Sequence, residues 1–258
     1  MNSALRHLLP FGLVRASQFA SKLKRMGLPA SQAWLLTLKP SSRLRIQELN
    51  LNLLPDGALS DIDCIVDLGA NRGDWTAGIL NFCTPKRIIC VEPEPALAAG
   101  LHERFSGQDN ISIKQTAIGA APGIADFTLM KESVFNSFRR PTQSMASSYQ
   151  DVGARKIIKV DVRTLDSVIP TDARIRLLKI DVQGFEREVL IGAAETLRRT
   201  DYVLLEVNFQ THYEGEAGFF ELDTLMQQHG FFIGNYSQPK GGRRQALYAD
   251  VLYLRKDC

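Results

Sequence analysis

The chain predicts an α/β fold of Rossmann-like type: a mostly parallel sheet, helices on both faces, and a C-terminal antiparallel hairpin. Three observations predict it. Short apolar runs alternate with helical stretches from about residue 44 onward, as expected of strand–helix–strand units. The segment Asp67-Leu68-Gly69-Ala70-Asn71-Arg72-Gly73 places a tight glycine turn between an apolar run and a helix. The last two runs, Phe231–Tyr236 and Ala249–Arg255, are joined by the polar turn Pro239-Lys240-Gly241-Gly242 and not by a helix, which implies an antiparallel edge.

The elements follow in order. Ile62–Asp67 reads as the first strand, Asp74–Phe82 as a helix and Arg87–Glu92 as the second strand. Pro95–Phe105 is a second helix and Ile111–Ala117 a third strand. Ile124–Leu129 and Ile157–Val162 read as added strands. Residues 131–156 run polar without a clear period and carry Phe135, Phe138, Arg139 and Arg140; long loops of this kind are often functional. Arg176–Asp181 is a buried strand, because Leu177-Leu178-Lys179-Ile180 is nearly continuous apolar surface. Phe185–Arg199 is a helix with Val189, Leu190, Ala193, Ala194 and Leu197 on one face. Tyr202–Val207 is the fifth core strand, and Phe219–His229 is a helix ending at Gly230.

With 258 residues and 45% hydrophobic content, the chain can bury one sizeable domain and carry an extension. The division falls at 1–45, a basic amphipathic helical extension, and 46–258, the α/β domain. Residues 1–47 hold eight of the 31 basic residues and no Asp or Glu, which leaves 23 basic against 28 acidic residues in the body. That mildly acidic body has no nucleic-acid footprint, so no nucleic-acid partner is expected. Three readings of the extension compete: a cap helix, contact with an anionic membrane surface, or a targeting peptide. Cys64, Cys83, Cys90 and Cys258 have no C-x-x-C spacing. Neither a disulfide framework nor a zinc motif is expected, which favours a reducing, cytoplasmic location, membrane-peripheral if the extension touches lipid. No apolar run approaches 18 residues, so no membrane span is predicted. The oligomeric state leaves no sign in the sequence.

Strand, glycine turn, helix, strand and then a carboxylate, Glu92, is the layout of a nucleotide-type cofactor site. A dinucleotide site carries G-x-G-x-x-G, whereas here Asn71 stands between Gly69 and Gly73. Asp67 would repel a pyrophosphate. It suits the ammonium and sulfonium of S-adenosylmethionine, a gain of roughly 3 kcal/mol at about 5 Å and an effective dielectric near 20. Gly69 would let the backbone pass close to that ligand, and Glu92 would accept from ribose hydroxyls. A second cluster, Lys179-Ile180-Asp181-Val182-Gln183-Gly184-Phe185-Glu186, repeats the logic. Asp67, Glu92, Asp181 and Glu206 all stand at carboxyl ends of strands, where such sheets bind ligands. Lys179 shares a strand face with Asp181 and could pair with it. Glu186 lies in a first helical turn, where the helix dipole alone explains it. Asp181, Glu206 and Asn208 are donors that could suit Mg²⁺, but no metal site is assigned. His212 follows the fifth core strand; as a neutral imidazole it could take a proton from a hydroxyl, or it is an ordinary loop histidine.

These motifs resemble FkbM-type methyltransferases. Asp67–Gly73 and Val91-Glu92-Pro93-Glu94-Pro95 look like the family's opening signatures, and Thr164-Leu165-Asp166, Leu178–Glu186 and Val189-Leu190-Ile191-Gly192-Ala193 continue the match in order. The resemblance covers roughly residues 60–255. It implies a class I methyltransferase domain with a seven-stranded, mostly parallel sheet. It also implies S-adenosyl-L-methionine as methyl donor and a hydroxyl of a sugar, lipid or small metabolite as acceptor. Carried over, Asp67, Gly69, Ala70, Asn71 and Gly73 would hold the methionine portion, with Glu92 and Pro93 at the ribose and Ala117 and Ile118 near the adenine. Asp181 would border cofactor and reacting centre, beside Lys179, Gln183 and Glu186. Family members often carry a histidine directly after the fifth strand's glutamate; this chain has Val207-Asn208 there, and His212 further on. The alternatives are an NAD(P)-dependent reductase and a cofactor-binding protein without catalysis. Arg139 and Arg140 would suit an anionic acceptor or merely be solvated.

Overall fold

The protein is described here by a computed structural model covering residues 20–21, 23–28, 48–148, 153–242 and 245–256. The expected extension over residues 1–45 lies almost wholly outside them. The chain forms two units, one built from residues up to Ile62 together with Ala77–Thr84, the other from Asp63–Thr76 and Pro85 onward. In the first, Gly57 and Leu59 donate backbone hydrogen bonds to Arg25 and Met26, and Leu49 packs on Gly78, where a Cβ would come within 2.6 Å of it. Among the described residues no helix is long and apolar enough to cross a membrane.

The second unit holds the sheet. Its strands β1 (Cys64–Leu68), β2 (Arg87–Val91), β3 (Ile111–Lys114), β7 (Ile175–Ile180) and β8 (Thr200–Asn208) run parallel in the order β3-β2-β1-β7-β8. All five residues of β1 are buried, the expected state of a central parallel strand covered on both faces. β11 (Gln245–Arg255) adds antiparallel to β8, and β9 (Phe231–Tyr236) antiparallel to β11. These are the seven strands expected, hairpin included. Lys240–Gly242, read as plain turn, also pairs with β11 as the short strand β10.

Three expectations are corrected. The third strand stops at Lys114: Thr116 donates its hydroxyl to the Asp161 carbonyl at 3.0 Å, and β4 (Ala117–Ile118) joins a separate sheet, β4-β6-β5, with β5 (Gly123–Met130) and β6 (Ala154–Arg163). Residues 131–156 are not one structureless loop. They contain a 3₁₀ turn at Ser133–Phe135, helix α3 (Gln143–Ser148) and the start of β6. Ser137 bridges back to Thr128, and Pro141 to Tyr213.

The third correction concerns the helix expected over Phe185–Arg199. The other helices ahead of it are α1 (Asp74–Ile79), α2 (Pro95–Arg104) and α4 (Leu165–Val168). The expected helix is two, α5 (Glu186–Ile191) and α6 (Ala194–Arg198), with α7 (Phe219–Gln228) following later. The break is at Gly192, where a Cβ would lie 2.1 Å from the Gly119 carbonyl oxygen. The new N-terminus of α6 has no cap of its own. Asp166 supplies one from α4, accepting the N–H groups of Glu195 at 3.1 Å and Thr196 at 2.7 Å. Asp166→Ala should therefore lower unfolding free energy by about 1–2 kcal/mol, the usual worth of a capping oxygen. Urea denaturation read by circular dichroism measures it.

Candidate active site

Strand order reverses between β1 and β7, the point where open α/β sheets bind ligands. A cavity of about 350 Å³ lies there, of small-molecule size. Gly69, Asn71, Glu92, Pro93, Ala117 and Ile118 line one part of it. Asp181, Gln183, Glu206, His212 and Tyr248 line another, and Ser133–Asn136 with Phe138 and Met145 cover it. Asp67, Ala70, Gly73, Lys179 and Glu186 do not reach the lining.

Asp67 is fully buried. Its Oδ2 accepts from the Thr76 hydroxyl at 2.7 Å, and its Oδ1 lies 3.3 Å from Lys179 Nζ. The expected direct contact between Asp67 and a cationic ligand is replaced by this internal ion pair. Lys179 also lies 3.3 Å from Asp181 Oδ2, so the ammonium bridges two carboxylates. Burial alone would lower its pKa, but Asp181 and Asp67 outweigh that and raise it. Asp181 is thus the carboxylate displayed to the cavity, its side chain 36% exposed.

The glycines have structural reasons. At Gly69, with φ +71°, a Cβ would stand 1.9 Å from the Asp181 carbonyl oxygen; at Gly73 it would meet Leu101 and Phe105 of α2 at 2.7 Å. Gly69 therefore lets β1's turn pass β7, and Gly73 seats the turn on a helix. Ala70 donates its N–H to the Val91 carbonyl and fixes the turn against β2.

Glu92 accepts backbone N–H groups from Asn71 at 2.9 Å and Glu94 at 3.0 Å. Burial pushes its carboxyl up to about 7, against those two donors. Glu186 is similarly buried, accepting from Gly184 at 3.1 Å and Val182 at 3.3 Å, and burial pushes it to about 7 as well. It shapes the Val182–Gly184 turn and does not line the cavity.

That turn is held from several sides. Gln183 has φ +52°. Its Nε2 donates to Asp181 at 2.8 Å and reaches Glu206 at 3.4 Å, while its Oε1 accepts from the Tyr213 hydroxyl at 2.9 Å. Ser137 donates to the Gln183 carbonyl. Arg139 donates to the Gly184 carbonyl at 2.7 Å and to Glu188 at 2.8 Å. The Arg139 guanidinium, for which the sequence leaves an anionic acceptor and plain solvation both open, is a strut between these groups.

Glu206 is raised well above the carboxylate range by burial, with Asp181 and then Asp250 adding to it. His212 is lowered by burial; its Nε2 is buried with no hydrogen-bond partner among the described residues. Among those residues no group of three or more His, Cys, Asp or Glu is arranged to hold a metal ion, and Asn208 donates to Glu216 at 3.1 Å. Tyr213, Tyr248, Ser137 and Met145 were not anticipated. Only Tyr248 had a signal, its alternation with Asp250 along the last strand.

The signature described as the Methyltransferase FkbM domain matches residues 67–233. The chain is similar to the 2-O-methyltransferase NoeI of Sinorhizobium fredii, 30% identical over 189 residues that cover 69% of this chain and 75% of that one. It is similar to Methyltransferase 1 of Beauveria bassiana, 25% identical over 219 residues, covering 75% and 84%. The solved Methyltransferase FkbM from Methylobacillus flagellatus superposes with a TM-score of 0.51 at 14% identity, over 93% of this chain and 58% of that chain. That likeness bears on the fold, and this chain spans less than two thirds of that protein.

The buried ion pair gives a test that needs no activity. Lys179→Met leaves Asp67 buried and unpaired and should cost about 3–5 kcal/mol of stability. Adding Asp67→Asn should recover most of that loss in a double-mutant cycle, read by urea denaturation.

Proposed function

The chain belongs to the methyltransferase FkbM family, and from that premise we propose that it methylates a hydroxyl oxygen of a sugar or related small polyol, with His212 as general base. S-adenosyl-L-methionine is the methyl donor and supplies a methyl carbon already activated by its sulfonium. The family assignment leaves no room for the nicotinamide alternative, or for a binder without catalysis.

The residues present fit that donor. Glu92 is held at the cavity wall by two backbone N–H groups, and its oxygens keep acceptor capacity for ribose hydroxyls. Pro93, Ala117 and Ile118 give an apolar wall beside it. Asp181 brings the negative charge that complements a cationic ligand.

The observation that carries the hydroxyl reading is the His212 imidazole. It lines the cavity, its buried Nε2 lacks a partner among the described residues, and burial keeps it below its ordinary pKa. A neutral imidazole with a vacant nitrogen accepts the proton a hydroxyl must lose. The rest is positioning, and good alignment can supply roughly 7–11 kcal/mol of the barrier. Oxygen as the acceptor atom is supported by the name of the 2-O-methyltransferase relative.

Two outcomes are expected. His212→Ala should lower kcat about 10²–10⁴-fold, measured as S-adenosylhomocysteine formed, while calorimetric affinity for S-adenosylmethionine stays within about threefold. The second outcome follows from Glu92, whose carboxyl lies near 7 in the free protein and whose ordinary value is 4.5. An acid raised on folding contributes stability at low pH and loses it as pH rises through the folded value. The cofactor-free protein should therefore lose part of its stability between about pH 4.5 and 7. Its affinity for S-adenosylmethionine should instead rise through about pH 7, as Glu92 ionises and becomes the stronger acceptor. Glu92→Gln should flatten the affinity trend in calorimetry and reduce the stability trend in thermal melts, to which Glu186, also raised to about 7, contributes over the same range.

A further inference from the structure

The charge pattern of the cavity also selects among acceptors, an inference that rests on the methyl-transfer reading of this site. Among the described residues three carboxyl groups line it, those of Glu92, Asp181 and Glu206, and no Lys or Arg does. Of the cations around it, Lys240 lies 3.9 Å from Asp250 and 5.0 Å from the Tyr248 ring centroid, and two more are engaged within the protein. Lys179 sits between Asp67 and Asp181, and Arg139 is bonded to the Gly184 carbonyl and Glu188.

Backbone N–H groups could still receive an anion, since consecutive ones in a turn form anion-binding nests. Both such places are already filled by the protein. Glu186 takes the N–H groups of Val182 and Gly184, and Glu92 takes those of Asn71 and Glu94. Among the other lining donors, the Gln183 amide is directed at Asp181 and Glu206, the Asn136 amide at Glu94, the Ser133 hydroxyl at Asn71 and the Thr116 hydroxyl at the Asp161 carbonyl. A phosphate or carboxylate entering here meets three carboxyl groups and no Lys or Arg of the described residues.

Glu206 occupies the end of the cavity shared with the base. It stands on β8, opposite Asp250 of β11; Tyr248 lies two residues before that partner, and its ring meets the His212 imidazole edge-on at 6.1 Å. Glu92, Ala117 and Ile118 form the β2 and β4 side. We propose that Glu206 is the specificity-determining residue of the acceptor end: it holds the hydroxyl neighbouring the reacting one, and the Asp181 carboxylate beside it disfavours acceptors that carry a carboxylate or phosphate there. A carboxyl group suits this task because it offers two oxygens to a vicinal hydroxyl, and buried pairs of this kind discriminate strongly against ligands that leave them unpaired.

The test is turnover to S-adenosylhomocysteine with sugars of one ring in three charge classes: methyl glucosides, methyl glucosaminides, and the matching glucuronides and 6-phosphates. The neutral and ammonium-bearing classes should be used, and the anionic class should show kcat/KM at least tenfold lower. Glu206→Gln, which keeps one acceptor oxygen, should raise the KM of the neutral acceptor less than the Leu variant does. Glu206→Leu should raise its KM at least tenfold, with cofactor affinity by calorimetry unchanged. Glu206→Arg should shift the anionic-to-neutral ratio at least tenfold toward the anions; if that variant fails to fold, Gln and Leu decide the matter. Preference of the wild type for anionic acceptors overturns the inference. So does selectivity and KM unmoved by Glu206→Leu in protein that binds cofactor normally. No turnover in any class, with cofactor bound tightly, overturns the proposed sugar methylation itself and the inference with it.

Discussion

The site depends on one buried ammonium. Lys179 lies in register with Asp67 across the β1–β7 pair and holds Asp67 on one side and Asp181 on the other, each at 3.3 Å. Burying such charges costs several kcal/mol per ion, so the triad is a poor source of stability. What it supplies is position. Asp67 is tied in turn to Thr76 of α1, and the Thr76 hydroxyl lies 3.3 Å from the Cys90 sulfur on β2. Three neighbouring strands and a helix are thereby registered at the mouth of the sheet, where the backbone of Gly69 presses on the Asp181 carbonyl too closely for any side chain.

The second turn receives its order from the inserted small sheet. A non-glycine residue at positive φ, such as Gln183, costs roughly 1–2 kcal/mol, and hydrogen bonds from Ser137, Tyr213 and Glu186's partners Val182 and Gly184 hold it there. Phe138 stacks between Phe127 of β5 and Phe185 at the start of α5, with centroid distances of 4.9 and 4.6 Å. The segment that covers the cavity is therefore the same one that fixes its catalytic-side turn. Asn136 extends this to the other wall, donating to Glu94 at 2.7 Å, and Ser133 does so through Asn71 at 3.0 Å.

Much of this was legible in the sequence. Glycine turns and carboxylates at strand ends are local signals, and they point to Gly69, Asn71, Glu92 and Asp181, which line one cavity. The errors share a cause: each depends on a contact between residues far apart in sequence. Asp67 and Asp181 look alike in their own segments, and only the register of β1 against β7 makes one internal and the other displayed. Arg139 reads as a free cation until Gly184 and Glu188 arrive beside it. The face of residues 185–199 is helical throughout by period, and the break at Gly192 comes from Gly119, more than 70 residues earlier. Residues 131–148 have no period because their order comes from hydrogen bonds to other segments.

The electrostatics of the cavity then fit its chemistry as one system. A histidine beside ionised carboxylates would have its pKa raised and would lose its value as a base near neutrality. Here Glu206 is driven toward its neutral form by burial, Asp181 and Asp250, and Asp181 is balanced by Lys179. Burial is left as the dominant influence on His212 and lowers its pKa. In the proposed reaction, where His212 takes the hydroxyl proton, the positive charge that leaves the methyl donor reappears on the imidazole, beside the same carboxyl groups. The cavity would then hold its net charge, so those groups would stabilise reactants and products without reorganising, the preorganised arrangement that favours charge transfer.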